Sequence, residues 1–102
     1  MRKLMYREIA SFCEELAWLV HSGVNISDGL ALLAEEEQEN EWKSCLKRMA
    51  EQSDEGRVFS DIVKEENCFP TYVEGILNVG EMTGRLEESL KALADTIPSV
   101  TV

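Results

Sequence analysis

Apolar residues recur along this chain at steps of three and four, and nowhere do they alternate with polar ones for long enough to make a half-buried strand. Met5, Ile9, Phe12, Leu16 and Leu19 follow one another at steps of four, three, four and three, and Leu86, Leu90, Leu93 and Ile97 at four, three and four. An α-helix turns once in about 3.6 residues, so each series falls on one stripe of a helix. The expected class is therefore all-α. At 102 residues the chain has room for one small domain and no second core.

Glycine, asparagine and proline divide the pattern into six helices. Gly23 ends the first, because glycine adopts the left-handed backbone that commonly closes a helix. Asn25 or Ser27 caps the second, which turns Ile26, Leu30, Leu33 and Ala34 inward. Asn40 caps a third around Trp42, Cys45, Leu46 and Met49, and Gly56 ends it. A short fourth helix carries Phe59, Ile62 and Val63. Phe69-Pro70 opens a fifth with Tyr72, Val73, Ile76, Leu77 and Val79, where Gly75 points to close approach of another helix. The sixth starts after Gly84, and Pro98 closes it. An internal repeat supports a pairwise arrangement: Ser22-Gly23, Ile26, Leu30 and Leu33-Ala34 overlay on Thr83-Gly84, Leu86, Leu90 and Leu93-Ala94 at offsets of 60 and 61. A fainter copy surrounds Gly56. The expected architecture is a six-helix bundle built from three helical hairpins.

Charge narrows the function. Ten Lys and Arg against twenty Asp and Glu leave a net charge of −10, which repels phosphate backbones and anionic lipid. Nucleic acid is excluded as a partner. No apolar run reaches the roughly 20 residues that cross a bilayer. Cys13, Cys45 and Cys68 are too far apart for a disulfide framework and read as small buried hydrophobes. A zinc site drawing them together with His21, the single histidine, would lack any local ligand pair. His21 reads instead as a cap on the first helix's C-terminus. Glu87-Glu88 point to different sides of a helix, the hydroxyls and thiols have no partner base in sequence, and the glycines form no phosphate loop. A non-enzymatic protein is expected.

Two features remain as candidate sites. Arg7, Ser11, Glu14 and Trp18 stand at steps of four, three and four on the side of the first helix opposite the core stripe, and an aromatic on a polar row can anchor an interface. The plainer reading is that a neighbouring helix of the bundle covers it. The second feature is Gly80-Glu81-Met82-Thr83-Gly84-Arg85-Leu86. Its plain reading is a helix–helix turn in which Gly80 lets backbones pack, Gly84 takes the left-handed conformation and Glu81 accepts from free backbone donors of the next helix. A functional reading adds a Glu81 carboxylate offered to a partner chain or to calcium, with no other cofactor implied. The acidic run from Glu35 to Glu41 reads as solvated surface able to steer a basic partner.

Gly80-Glu81-x-x-Gly84-x-Leu86, followed by Leu90 and Leu93-Ala94, resembles the end of the cytoplasmic domain of the GspF and PilC family, the inner-membrane platform proteins of type II secretion systems and type IV pili. Phe12, Leu16 and Leu19 before Ser22-Gly23-Val24, then Ile26 and Leu30 to Leu33, Gly56 with Phe59 and Ile62, and Phe69-Pro70 with Tyr72 stand in that family's order. The resemblance implies a helical domain over residues 6–97 and a tail, 98–102, leading towards a transmembrane segment that lies beyond it. It implies a scaffold on the cytoplasmic face of the bacterial inner membrane, part of a homo-oligomer of two or more copies, linking an assembly ATPase to pilin movement and contacting other pilus or secretion components. The first helix starting so near Met1 resembles the short platform proteins of type IVb pili, such as the toxin-coregulated and bundle-forming pili. The alternative reading is a free-standing helical adaptor that binds a peptide or a regulatory protein.

Overall fold

A computed structural model describes residues 3–95 as six α-helices. They are α1 Tyr6–His21, α2 Ile26–Glu36, α3 Glu41–Asp54, α4 Phe59–Glu66, α5 Thr71–Thr83 and α6 Leu86–Asp95. Class and helix count are those expected from the periodicity. Ile97, Pro98 and the tail 98–102 lie outside the described residues. Among the described residues no helix is long and apolar enough to cross a membrane.

The three hairpin turns are built alike. Val24 N–H reaches back to the Leu19 carbonyl at 2.9 Å, Arg57 N–H to Gln52 at 3.3 Å and Arg85 N–H to Gly80 at 2.7 Å. Each bond closes over a glycine with positive φ: Gly23 at +96°, Gly56 at +93° and Gly84 at +73°. A carbonyl bonded to the N–H five residues on, across a left-handed glycine, ties off the end of one helix and aims the chain at the next. The fainter copy at Gly56 thus shares the geometry of the other two. Local caps fall where the side chains provide them. Asn25 and Asn40 each accept from the backbone N–H three residues on, at 2.8 Å in both cases.

Each helix packs on its neighbours in chain order, and α6 returns to α1, so the six close into a ring; the most extensive contacts are α2 with α3 and α1 with α6. Leu16, Leu30, Leu46, Met49, Ile62, Leu77, Leu90 and Leu93 fill the centre. Phe12 stacks edge-on to Trp42 at 5.4 Å and lies 5.7 Å from Phe69, which joins α1, α3 and the α4–α5 loop. All three cysteines are buried and free. Desolvation pushes the Cys13 thiol up to about 12, so it stays neutral and packs as a hydrophobe.

Two apolar positions differ from their expected roles. Met5 is 65% exposed, because α1 begins after it and Leu4 takes the buried place, held by its N–H to the Cys68 carbonyl at 2.8 Å. Gly75 faces solvent, and a Cβ there would meet nothing within 4 Å. Close approach occurs one turn further on. A Cβ on Gly80 would lie 2.8 Å from Ser89 Cβ and 3.1 Å from the Arg85 carbonyl. In the first hairpin the corresponding fit is made differently: at the repeat offsets of 60 and 61, Gly29 falls on Ser89 and Leu19 on Gly80. There Gly29 makes room for Leu16, whose Cδ1 lies 2.9 Å from where a Gly29 Cβ would stand, while Leu19 Cβ is in ordinary contact at 3.7 Å.

Candidate functional site

The core stripe of α1 buries Ile9, Phe12, Cys13 and Leu16, which turns Arg7, Ser11, Glu14 and Trp18 outward along one row. All four are exposed. The Trp18 side is not covered by the bundle: the residue is 70% exposed, the barest aromatic among the described residues. It stands between two shallow recesses. One runs towards α6, past Ala17, His21 and Ala94. The other runs towards α2, past Leu19, Leu32 and Glu36. Leu32, on the outer side of α2, is 41% exposed and extends the apolar surface of the indole. The α1 pattern contains nothing that reveals Leu32; only its single large apolar side chain on an otherwise small or acidic face of α2 marks it.

Carboxylates surround this apolar strip. Glu14 and Glu15 lie on α1, and Glu36 and Glu37 at the C-terminal end of α2. The Glu15 carboxyl is held above the ordinary carboxylate range, first by desolvation and then by repulsion from Glu36, Glu14 and Glu37. On the opposite flank the charges are paired. His21 Nδ1 lies 2.9 Å from Glu87 Oε2, and Lys91 Nζ lies 3.0 Å from the same oxygen. These contacts, Lys91 first, pull the Glu87 carboxyl below its usual value. His21 therefore acts less as a cap of its own helix than as a tie from the end of α1 to the start of α6.

Glu81 is the second candidate, and its partner helix is not the expected one. Its Oε2 accepts from Phe59 N–H at 2.6 Å and its Oε1 from Ser60 N–H at 2.8 Å. These donors open α4, not α6. The cause is topological, since α4 and α5 pack against each other and the last turn of α5 comes to rest beside the first turn of α4. Val58, the residue in the capping position of α4, has no side-chain acceptor, so a carboxylate from 21 to 22 residues away takes over the work. Gly80, Gly84 and Leu86 have their expected places: the first at the helix contact, the second in the left-handed turn, the third packed on the core. Both oxygens of Glu81 are engaged by backbone, and among the described residues no three His, Cys, Asp or Glu side chains are grouped to hold a metal ion.

Three like-built hairpins, a glycine–glutamate turn that binds three helices together and an outward row ending in a bare tryptophan define an all-helical domain with an uncovered face on α1. Residues 12–98 match the family described as type II secretion system (T2SS), protein F, and the chain belongs to that family. It is 34% identical over 86 residues to the protein transport protein HofC homolog of Escherichia coli (strain K12), a match covering 83% of this chain and 22% of that protein. It is 24% identical over 88 residues to the type IV pilus assembly protein PilC of Thermus thermophilus, covering 86% and 22% respectively. The chain thus spans 22% of the length of each of these curated relatives. The family is one of non-enzymatic inner-membrane platform proteins of type II secretion and type IV pilus assembly.

Proposed function

We propose that the chain is the cytoplasmic domain of such a platform protein in type IV pilus assembly or type II secretion, and that it works as a rigid scaffold linking an assembly ATPase to the movement of pilin. The family match over residues 12–98 carries this reading, and the relative named for type IV pilus assembly supports the pilus side of it. In this reading residues 6–97 form the domain and residues 98–102 lead towards a membrane segment at the cytoplasmic face of the inner membrane. Energy comes from nucleotide hydrolysis in the partner. What the domain supplies is stiffness, from a ring of six helices closed by α6 on α1, and a surface on which to push.

The row Arg7, Ser11, Glu14 and Trp18 is the surface we assign to partners, whether a cytoplasmic component of the machine or a further copy of the platform protein. Tryptophan is enriched at binding hot spots because it buries a large area with few rotatable bonds. Co-purification of the parent platform protein with the assembly ATPase and the other cytoplasmic components tests the reading. Retention of at least one component by the parent protein, and its loss with Trp18→Ala at unchanged helicity, is the expected result. Contact with none of them would overturn the scaffold reading.

A further inference from the structure

Resting on the assignment of the Trp18 row as a partner surface, we infer that its occupant is a basic amphipathic segment of another protein, with an apolar residue laid against Trp18 and Leu32 and arginine or lysine side chains set among Glu14, Glu15, Glu36 and Glu37. The apolar part of the surface is formed by the two exposed side chains, 70% and 41% bare, that flank one recess between α1 and α2. The charged part is acidic beside Trp18 and Leu32, with Arg7 of the same row standing further along the groove near Glu15, Glu36 and Glu37. Glu14, Glu15 and Glu36 line that same recess. None of these three, nor Glu37, is in an ion pair with a Lys or Arg among the described residues, whereas Glu39, Glu65, Glu66, Glu87 and Glu88 each have one.

The arrangement is unfavourable as it stands. Glu36 is the last residue of α2 and Glu37 its C-cap, where negative charge opposes the helix dipole, and both repel Glu15 across the α1–α2 groove. A cation entering here relieves three repulsions at once. It also finds the face of an indole, which attracts guanidinium and ammonium groups. Other occupants meet the opposite sign. An anionic lipid surface is repelled by these carboxylates. A second copy docked through the same surface by two-fold symmetry would bring four carboxylates against four.

A short helical peptide of arginine and leucine with an i, i+4 repeat is the probe, with a counterpart carrying glutamate for arginine, each titrated into the isotope-labelled chain and followed by backbone and indole N–H shifts. Expected are shifts centred on Trp18, Leu32 and Glu36, no binding of the glutamate peptide, and an affinity about tenfold weaker for Trp18→Ala and for the triple variant Glu14→Gln, Glu15→Gln, Glu36→Gln. A control triple, Glu51→Gln, Asp54→Asn, Glu55→Gln, removes the same charge from α3 and its end and should change affinity less than twofold. Equal weakening by the two triples, or shifts spread over the whole acidic surface, would mean general attraction to a chain of net charge −10 and would overturn the inference. So would self-association, measured by sedimentation, that Trp18→Ala abolishes and the peptide does not compete away. If co-purification with pilus or secretion components is lost in Trp18→Ala while the arginine peptide shows no preference for this face, the inference fails and the partner surface stands. If neither responds to Trp18→Ala, both fail.

Discussion

Removing the Glu81 carboxylate should weaken the whole fold, because it caps a helix that has no cap of its own. Two of the four orphan N–H groups at the start of α4, those of Phe59 and Ser60, are satisfied by Glu81 at 2.6 and 2.8 Å, and Val58 offers nothing in its place. Loss of an N-cap costs about 0.5–2 kcal/mol, and a hydrogen bond to a charged group contributes about 1.5–3. The contacts are only partly buried, so water can reach the freed donors and the lower figures apply. Glu81→Ala is expected to cost about 2 kcal/mol, which for a domain of this size lowers Tm by roughly 8–16 °C. Glu81→Gln keeps one acceptor but turns an NH2 towards the second donor, and should cost about 1–2 kcal/mol. The decisive variant is Val58→Asp, which supplies a local carboxylate at the capping position. Alone it should change little. Combined with Glu81→Ala it should restore about 1 kcal/mol, a coupling read from urea unfolding followed by circular dichroism. Stability of Glu81→Ala within about 0.5 kcal/mol of the parent, or an identical loss with and without Val58→Asp, would refute the reasoning.

One substitution made twice in α5 should change sign: Gly80→Ala, whose Cβ would stand 2.8 Å from Ser89 Cβ, is expected to destabilise by about 1–2 kcal/mol net, whereas Gly75→Ala, with nothing within 4 Å, should stabilise by about 0.5–1. Matching signs in thermal unfolding would sink the packing argument. Two carboxylates should respond to pH in opposite directions. Glu87 has a lowered pKa in the fold, so its contribution is present above the ordinary carboxylate value and disappears as pH falls through the lowered one; Glu87→Gln should destabilise at pH 7 and not below that window. Glu15 has a raised pKa, so its ionisation penalises the fold as pH rises through the ordinary value; Glu15→Gln should stabilise slightly at pH 7 and be neutral in acid, and the reverse order in pH-dependent urea midpoints would contradict both. Calorimetric titration with calcium should give no affinity tighter than about 1 mM, since both Glu81 oxygens are engaged; a tighter site that Glu81→Gln removes would show that the turn binds metal.

What could be read from the chain, and what could not, divides by the distance over which each residue acts. The stripe of α1 from Ile9 onward, that of α6 from Leu86 to Leu93 and the turns at Gly23, Gly56 and Gly84 depend on residues within one or two helical turns of each other, and these were legible. So was the cap at Asn40, and that at Asn25 as one of two alternatives with Ser27; in each the acceptor and donor are three residues apart. Interactions between elements were not. Gly75 and Gly80 look the same in the pattern of α5, and only the position of Ser89 on α6 tells them apart. The bond of His21 to Glu87 spans 66 residues and has no local signature. The Trp18 row could be placed opposite the core from its spacing, but spacing does not say whether another helix lies over it. Leu32 and the acidic rim joined the same surface only once α2 was laid beside α1.

The run Gly80-Glu81-x-x-Gly84 shows why a sequence mark can be sharp without carrying chemistry. Its three fixed residues each do a different job, two at the α5–α6 junction and one between α5 and α4. Gly80 has no side chain because Ser89 of α6 occupies that space, and its carbonyl accepts from Arg85 to tie off the helix. Glu81, the next residue along, reaches α4 and caps it. Gly84 takes the positive φ that sends the chain into α6. The spacing follows from this division of labour. The carboxylate must lie in the last turn of α5 to reach the first turn of α4, and the turning glycine must follow four residues after the contact glycine for the six-residue closure to form. Substituting either glycine therefore loosens α5 from α6, and substituting Glu81 loosens α5 from α4. A variant that keeps all three and alters Trp18 should leave the fold intact and change only what binds to it.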